Sequence, residues 1–104
     1  MFVAMNRFKV KKGSEAEFED VWKNRDSSLE TNPGFVSFAL LRGPEQEDND
    51  HTLFASHTIW EDRDDFIAWT KSQSFRDAHK NAGRNKVHYL GHPQFEGFTK
   101  VEGA

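Results

Sequence analysis

Residues 2–10 alternate between two sets of side chains, and this alternation constrains the fold more than any other feature of the chain. Successive side chains of a β-strand point to opposite faces of a sheet, so residues two apart share a face. One set is apolar except at its centre, and it consists of Phe2, Ala4, Asn6, Phe8 and Val10. The other set consists of Val3, Met5, Arg7 and Lys9. The pattern predicts a strand whose first set is turned toward the core.

The next part of the chain predicts a helix, a strand and a loop. Ser14 and Glu17 match a capping box, in which each side chain satisfies a free amide at a helix start. Apolar residues at helical spacing then predict a helix to about Thr31, stopped by the Asn-Pro-Gly sequence that follows. Phe35–Leu41 is apolar on both faces, which is typical of a well-covered strand. The polar stretch Gly43–Asp50 predicts a surface loop.

The second half of the chain predicts the same kinds of element. Thr52–Trp60 has the composition of a strand. Glu61–Ser72 carries a helical pattern, and a second short helix follows, capped by Ser74 and closed by Gly83. Lys86–Val101 contains aromatic and β-branched residues interrupted by glycine and proline. This tail predicts a final strand that is either long or broken.

The order strand, helix, strand, strand, helix, strand predicts the α+β ferredoxin-like βαββαβ fold. No linker or internal repeat divides the sequence, so residues 1–104 are expected to form one domain. Such an antiparallel sheet carries its helices on one face and leaves the other uncovered. Because a second copy of the chain is the simplest cover for an apolar face, a homodimer is predicted.

Composition narrows the classes of function. The net charge is −3 and there is no basic run, which argues against nucleic acid as a partner. The absence of cysteine excludes disulfides and thiolate metal sites. No segment approaches the ~20 apolar residues that cross a bilayer, and the N-terminal residues lack a signal-peptide pattern. A cytoplasmic protein without a membrane partner is therefore expected. The ten Phe and three Trp residues can fill a core or line a pocket for a flat apolar ligand.

Asn6 is the first candidate functional residue because it interrupts the apolar face of the first strand. Burying an amide without a hydrogen-bond partner costs about 1–3 kcal/mol, so Val or Ile would be the simpler residue there. Two interpretations stay open at this point. The Asn6 amide either finds partners in the core or faces a cavity.

His79 is the second candidate, since it shares a predicted helical stripe with Phe75 and Ala82. A lone histidine on an apolar helix face is more often a packed core residue than a ligand. Here the small side chains of Ala78 and Ala82 leave room for a flat ring, and Trp69 lies shortly before. An axial imidazole is a common ligand of haem iron, so His79 is a candidate for that role.

The other histidines are weaker candidates. His51 lies in the polar loop and is expected to be solvated. His57 shares a strand face with Leu53, Ala55 and Ile59, which makes it either a core or a pocket residue. His88 and His92 have the i, i+4 spacing of helical metal ligands, but glycine and proline beside His92 argue against a helix there.

The segment Phe66–Lys80, FIAWTKSQSFRDAHK, resembles the F-x-x-W-x-x-S-x-x-F-x-x-A-H segment of the IsdG-type haem-degrading monooxygenases. These enzymes form part of the antibiotic biosynthesis monooxygenase superfamily. Asn6, followed by Arg7, matches the other signature position of the family, and both ends of the chain are most similar to its HmuQ-like members. The resemblance therefore extends over the whole length.

This resemblance implies a set of roles. It makes His79 the axial ligand of the haem iron, Asn6 a distal hydrogen-bond donor and Trp69 a wall that presses on the macrocycle, with Phe75 beside the haem. It also implies a dimer with one haem in each protomer. The cations that could bind the haem propionates are Arg7, Arg25, Arg76, Arg84 and Lys86.

The implied reaction is oxidative opening of haem with O₂, releasing iron and a bilin-like product. The chain carries no flavin or nicotinamide motif, so an external electron donor, supplied by a reductase, is expected. Two alternatives remain open. Cofactor-free relatives oxygenate quinols or polyketide aromatics, and they need a pocket of the same size but no axial histidine, so Asn6 and Trp69 fit either function. A non-catalytic haem-binding or storage protein would use the same iron ligand.

Overall fold

A computed structural model describes residues 1–25, 28–45, 50–79 and 86–104. Within these ranges the chain forms four strands, which are β1 (Phe2–Lys11), β2 (Phe35–Arg42), β3 (His51–Trp60) and β4 (Tyr89–Thr99). The α-helices of the same ranges are α1 (Glu15–Asn24), α2 (Arg63–Thr70) and α3 (Gln73–His79). Single 3₁₀ turns lie at Leu29–Thr31 and Lys86–His88.

The strands form one antiparallel sheet in the order β2-β3-β1-β4. The strand order and the helix positions confirm the predicted α+β ferredoxin-like fold. β1 and β3 are the central strands, and Asn6 lies directly opposite Ser56 in their pairing. Side chains near the middle of these two strands therefore lie at the centre of the sheet.

The predicted inward face of β1 is confirmed, since Phe2, Ala4, Phe8 and Val10 are buried. The predicted strand at Thr52–Trp60 is confirmed, but the prediction that His57 is a core or pocket residue was wrong. The inward residues of β3 are those that pair with the inward face of β1, and they are Thr52, Phe54, Ser56, Thr58 and Trp60. His57 instead lies on the opposite face, between Met5 of β1 and Ala39 of β2.

That opposite face has no helix over it in the part of the chain that the structure describes. It carries apolar side chains, of which Leu41, Leu53 and Phe98 are exposed. The same set includes Val3, Met5, Ala39, Ala55 and Ile59. We call these eight residues and His57 the uncovered face. None of the described helices is long and apolar enough to span a membrane.

The helix boundaries differ from the predictions for local reasons. Ser14 makes no side-chain capping bond, so the predicted capping box is absent; instead the carboxylate of Glu15 accepts a hydrogen bond from the Gly13 amide at 2.7 Å. α1 ends at Asn24 because Arg25 adopts an extended backbone, with φ −71° and ψ 140°. The helix therefore stops short of the expected Thr31, which belongs to a separate 3₁₀ turn.

The elements after β3 also differ from the predictions in their caps and boundaries. α2 is capped by Asp62, whose carboxylate accepts from the Asp64 amide at 2.9 Å. Ser74, predicted as the cap of the next helix, lies inside α3, and the Ser72 hydroxyl accepts from the Phe75 amide at 3.2 Å instead. Ala82, Gly83 and Arg84 lie outside the described residues. Of the two alternatives for the final strand, long or broken, the structure has the long one, which is β4.

Two groups of buried side chains fill the space between the sheet and the helices. The Phe18 cluster consists of Phe8, Val10, Phe18, Phe54 and Tyr89, with Trp22 and Leu40 packed against it. The Trp69 cluster consists of Phe2, Ala4, Leu29, Trp60 and Trp69, with Phe35, Phe38, Phe66 and Phe75 packed against it. On β1, Asn6 is the inward residue between the two clusters.

Candidate functional site

A pocket of about 230 Å³ lies between the covered face of the sheet and the helices. It sits between the Phe18 and Trp69 clusters and draws wall residues from both. Its aromatic walls are Phe8, Trp22, Phe38, Phe66, Trp69, Phe95 and Tyr89. Phe95, half-exposed and stacked on Phe66 at 5.7 Å, and His79, also exposed, give the pocket an open side. A cleft lined by aromatic rings with a few polar groups is typical of a site for a flat organic ligand.

Asn6 lines this pocket from the floor formed by β1. Within the described ranges its amide has no hydrogen-bond partner in the protein. Of the two interpretations that the sequence left open, the structure supports the amide facing a cavity. The fold does not use this amide, so it is available to a ligand.

Trp69 belongs to the core and to the pocket wall at once. It is 8% exposed, and its ring contacts those of Trp60 at 5.5 Å and Phe75 at 4.9 Å. Its indole N–H is buried without an acceptor among the described residues, as is that of Trp22. Phe75 is not among the wall residues; its ring lies against those of Trp69 and His79. Phe75 therefore supports two wall residues from behind.

His79 is the last residue of α3 and lines the pocket. Its Nδ1 lies 2.8 Å from the carbonyl oxygen of Phe75, one helical turn earlier. A carbonyl only accepts, so Nδ1 carries the hydrogen and donates it. In the neutral imidazole the lone pair is then on Nε2. The packed Phe75 ring, 4.1 Å from the imidazole, further restricts its orientation. A fixed imidazole with a free Nε2 is the arrangement that an axial metal ligand requires.

Arg25 brings a positive charge to the pocket. Its guanidinium carbon lies 4.4 Å from the centre of the Trp22 ring and 5.0 Å from that of Phe38. Burial lowers the pKa of Arg25, but a guanidinium stays charged in proteins. It forms no ion pair with any residue that the structure describes. An unpaired, partly buried cation beside aromatic rings is suited to the carboxylate of a ligand.

The sequence could not choose Arg25 from the five candidate cations, whereas the positions of the four described ones separate them; Arg84 lies outside the described residues. Arg7 pairs with Glu96. Arg76 bonds to Gln73 on the surface, and Lys86 lies exposed in a 3₁₀ turn. Among the described Lys and Arg residues, only Arg25 lines the pocket.

Sequence reasoning also missed three hydroxyl-bearing wall residues, Ser56, Thr58 and Tyr89. The available signal is the alternation of Thr52, Ser56 and Thr58 along one face of β3, but the residues between them are more apolar and therefore favour the opposite face as the inward one. Tyr89 is almost fully buried, and burial raises the pKa of its phenol, so the hydroxyl stays neutral and able to donate.

The remaining histidines lie elsewhere. His51 lies 2.7 Å from the carboxylate of Asp50, and His88 lies 3.6 Å from that of Glu17. His92 is exposed on β4. Across the described ranges, no three His, Asp or Glu side chains are grouped so that they could hold a metal ion by themselves. A single axial histidine remains the arrangement to be considered for a metal.

Comparisons with known proteins agree with this geometry. The model of the family described as antibiotic biosynthesis monooxygenase matches residues 1–81. A heme-degrading monooxygenase from Bacillus thuringiensis subsp. konkukian (strain 97-27) is 34% identical over 83 residues, covering 80% of this chain and 75% of its own. A similar enzyme from Bacillus cereus (strain B4264) is 32% identical over the same length.

Solved structures with the same fold include both kinds of oxygenase. The heme-degrader MhuD from Mycobacterium tuberculosis, with two hemes bound in its active site, superposes with a TM-score of 0.70 at 27% identity, covering 100% of this chain and 99% of its own. SnoaB from Streptomyces nogalater, a cofactor-independent oxygenase, superposes with a TM-score of 0.66 at 26% identity, covering 97% and 93%.

Proposed function

The chain belongs to the antibiotic biosynthesis monooxygenase family, and we propose that within it the chain degrades haem, holding the iron through His79. The observation that carries this proposal is the hydrogen bond from His79 Nδ1 to the Phe75 carbonyl, which leaves Nε2 free at the pocket. Cofactor-free oxygenation needs no axial ligand. The similarity to haem-degrading relatives supports the same choice.

The lining of the pocket suits the chemistry of haem. Haem is flat and apolar with two carboxylates at one edge, and the pocket offers aromatic walls and the Arg25 guanidinium, which forms no ion pair with the described residues. When bound, haem supplies the oxygen chemistry, and the protein has to bind it, orient it and exclude water. His79 comes from α3 and Asn6 from the sheet, so a flat ligand between them meets one residue on each side.

Three residues have separable roles in this proposal. The Asn6 amide donates a hydrogen bond to a polar atom on the face of the ligand away from His79, where it stabilises developing negative charge. Trp69, held by Trp60 and Phe75, is a rigid wall against the macrocycle. Arg25 binds a propionate carboxylate, which fixes the rotation of the ring in its plane.

The reaction uses O₂ and needs electrons from outside the chain. We propose an external reductase as their source, with iron and a bilin-like molecule as the products. A cytoplasmic location accords with this need, because reducing equivalents are available there. Because the chain has a negative net charge, an electropositive surface on the reductase would be complementary to it.

We also propose that the uncovered face pairs two copies of the chain. Its exposed apolar side chains lie on both central and edge strands, which a second sheet would cover. Ala55 lies on this face, and Ala55→Arg is expected to convert a dimer to a monomer in sedimentation velocity. Asp20→Arg, on the exposed surface of α1, is the control and should remain dimeric. A wild-type monomer, or a dimeric Ala55→Arg variant, would contradict this pairing.

Addition of haemin to the purified protein, followed by a reductant under air, tests the proposed function. We expect a Soret band that then disappears as iron and a bilin-like product are released. Catalase and superoxide dismutase in the mixture remove free peroxide and superoxide, so that decay in their presence belongs to the enzyme. A Soret band that persists through repeated reduction would indicate haem storage. No Soret band would reject the haem proposal.

The similarity to SnoaB supports one alternative, a cofactor-independent oxygenase acting on a quinol or a polyketide aromatic. Asn6 and Trp69 fit both functions, and His79 and Arg25 distinguish them. If haemin does not bind, oxygen consumption with a set of aromatic quinols in metal-free buffer is the measurement for this alternative. Consumption that His79→Ala leaves unchanged would support it.

A further inference from the structure

The buried hydroxyl groups on the inward face of β3 differ in their partners. The Thr52 hydroxyl donates to the Glu15 carboxylate at 2.9 Å. The Thr58 hydroxyl donates to the carbonyl of Ala4 at 3.3 Å and accepts from the Trp60 indole N–H at 3.1 Å. The Ser56 side chain lies between them and is 9% exposed, yet it has no partner among the residues that the structure describes. The fold thus uses the two threonine hydroxyls and leaves the serine hydroxyl free.

Ser56 is also the direct neighbour of Asn6. The two residues are Cα partners in the β1–β3 pairing, and both line the pocket. Residues opposite each other in antiparallel strands have Cβ atoms about 4.5–5.5 Å apart. The two free polar side chains therefore form one small polar patch on a floor whose other residues include Ala4 and Phe8.

Both groups can be reached from the pocket, because Asn6 is only partly buried and the Ser56 hydroxyl oxygen is not fully enclosed. Polar groups that the fold does not pair are available to a ligand that enters the pocket. Alanine at position 56 would fill the same place without a polar group. Since neither side chain serves the packing of the fold, the patch has the properties of a ligand-binding site.

We propose that Ser56 and Asn6 together form a two-point hydrogen-bond site for a small acceptor ligand of the haem iron, on the side opposite His79. The Ser56 hydroxyl and the Asn6 amide both donate, and a compact ligand with several lone pairs, such as azide or hydroxide, can accept from both. Ser56 is thus a positioning residue for the small ligand. The inference rests on the proposed haem function and assigns the second donor of that site.

Azide titration of the ferric haem-bound protein tests the pair. Removal of one hydrogen bond costs about 0.5–1.5 kcal/mol, so Ser56→Ala is expected to weaken azide binding by about twofold to tenfold. Ser56→Thr keeps the hydroxyl and should stay within about twofold of wild type, because it changes packing without removing the donor. Thr52→Val is the matched control, since it removes a buried β3 hydroxyl whose partner belongs to the protein. It should leave azide affinity unchanged.

Unfolding of the haem-free protein supplies a second readout. If the Ser56 hydroxyl has no role in the fold, Ser56→Ala should leave the melting temperature unchanged or raise it, whereas Thr52→Val should lower it. A loss of melting temperature in Ser56→Ala similar to that in Thr52→Val would assign Ser56 to the fold and overturn the proposal.

The outcomes separate this inference from the proposed function. The Soret band is recorded first, and its absence in the wild-type protein would reject the haem function and this site together. A normal Soret band with equal azide affinity in wild type and Ser56→Ala would leave the haem function standing and overturn the role of Ser56. A selective loss of azide affinity in Ser56→Ala, restored in Ser56→Thr, supports it.

Discussion

The Phe18 and Trp69 clusters lie under the same sheet and are both aromatic, but they differ in how completely their side chains are buried. In the Phe18 cluster, Val10 and Phe18 are 0% exposed and Phe54 is 1% exposed. The phenylalanine rings meet at 5.1–5.3 Å in tilted and edge-on contacts. In the Trp69 cluster, Phe66 is only partly buried and stacks on the half-exposed Phe95 ring, so the aromatic side chains continue to the open side of the pocket.

Stability and ligand binding are therefore divided along the sheet. The Phe18 end contains the fully buried Val10, Phe18 and Phe54 and is expected to contribute most of the free energy of unfolding. The Trp69 end leaves aromatic side chains partly exposed, which weakens their packing and provides a wall for a ligand. Asn6 and Ser56 lie where the two ends meet. Mutations in the two regions should therefore affect different measurements.

The largest expected effect is on the Phe18 side. Phe18→Ala removes a fully buried ring that contacts Phe8, Phe54 and Tyr89, and it is expected to lower the free energy of unfolding by about 3–5 kcal/mol. Denaturant unfolding followed by circular dichroism measures the change. Phe95→Ala is the matched substitution at the pocket, where the ring is 53% exposed. Its loss should stay near 1 kcal/mol, about the value of an aromatic pair. Equal losses of unfolding free energy in the two variants would show that the Phe18 cluster contributes no more to stability than the pocket does.

The next effect is on turnover and comes from the boundary between the clusters. Asn6→Ala removes a hydrogen-bond donor that acts where charge develops, and such donors contribute about a hundredfold or more to the rate. Single-turnover decay of the haem spectrum measures it, with haemin affinity as the control. Affinity and melting temperature should change little, because the amide has no partner in the described protein. A large loss of stability with normal turnover would make Asn6 a structural residue.

A smaller effect is expected on affinity. Arg25→Gln removes the unpaired pocket cation, and hydrogen bonds to charged groups contribute about 1.5–3 kcal/mol, which is about tenfold to a hundredfold in haemin affinity. Arg76→Gln is the control, since Arg76 contacts Gln73 on the surface. Titration with a haem dimethyl ester sharpens the result: esterification should weaken binding to wild type but hardly to Arg25→Gln. Equal sensitivity of both proteins to esterification would exclude Arg25 as the carboxylate partner.

The sequence predicted the fold because its strongest signals were local. The alternation in β1 has large apolar residues on one face and charged residues on the other, so its direction could be read directly. In β3 the inward face carries three hydroxyl side chains, whereas Leu53, Ala55 and Ile59 lie on the opposite face. The face that looks more apolar in the sequence is therefore the one without helices over it. The pairing of Phe8 with Phe54 and of Asn6 with Ser56 settles the direction, and that information is tertiary.

The site was predictable in part for a similar reason. Asn6 and His79 stood out as polar residues in apolar patterns, and the structure brings both to one pocket. Arg25 could not be selected, because its value depends on the end of α1 and on the Trp22 and Phe38 rings that meet there. The bond from His79 to Phe75 also needed coordinates, since a helix leaves the orientation of an imidazole undetermined.

The central claim is that His79 Nε2 binds the haem iron, and resonance Raman spectroscopy of the ferrous haem-bound protein tests it most directly. We expect an iron–imidazole stretching band in the wild-type protein and its loss in His79→Gly. Added imidazole should restore the band in His79→Gly, and isotopically labelled imidazole should shift it. A band that persists in His79→Gly without imidazole would show that another histidine holds the iron and would contradict this account.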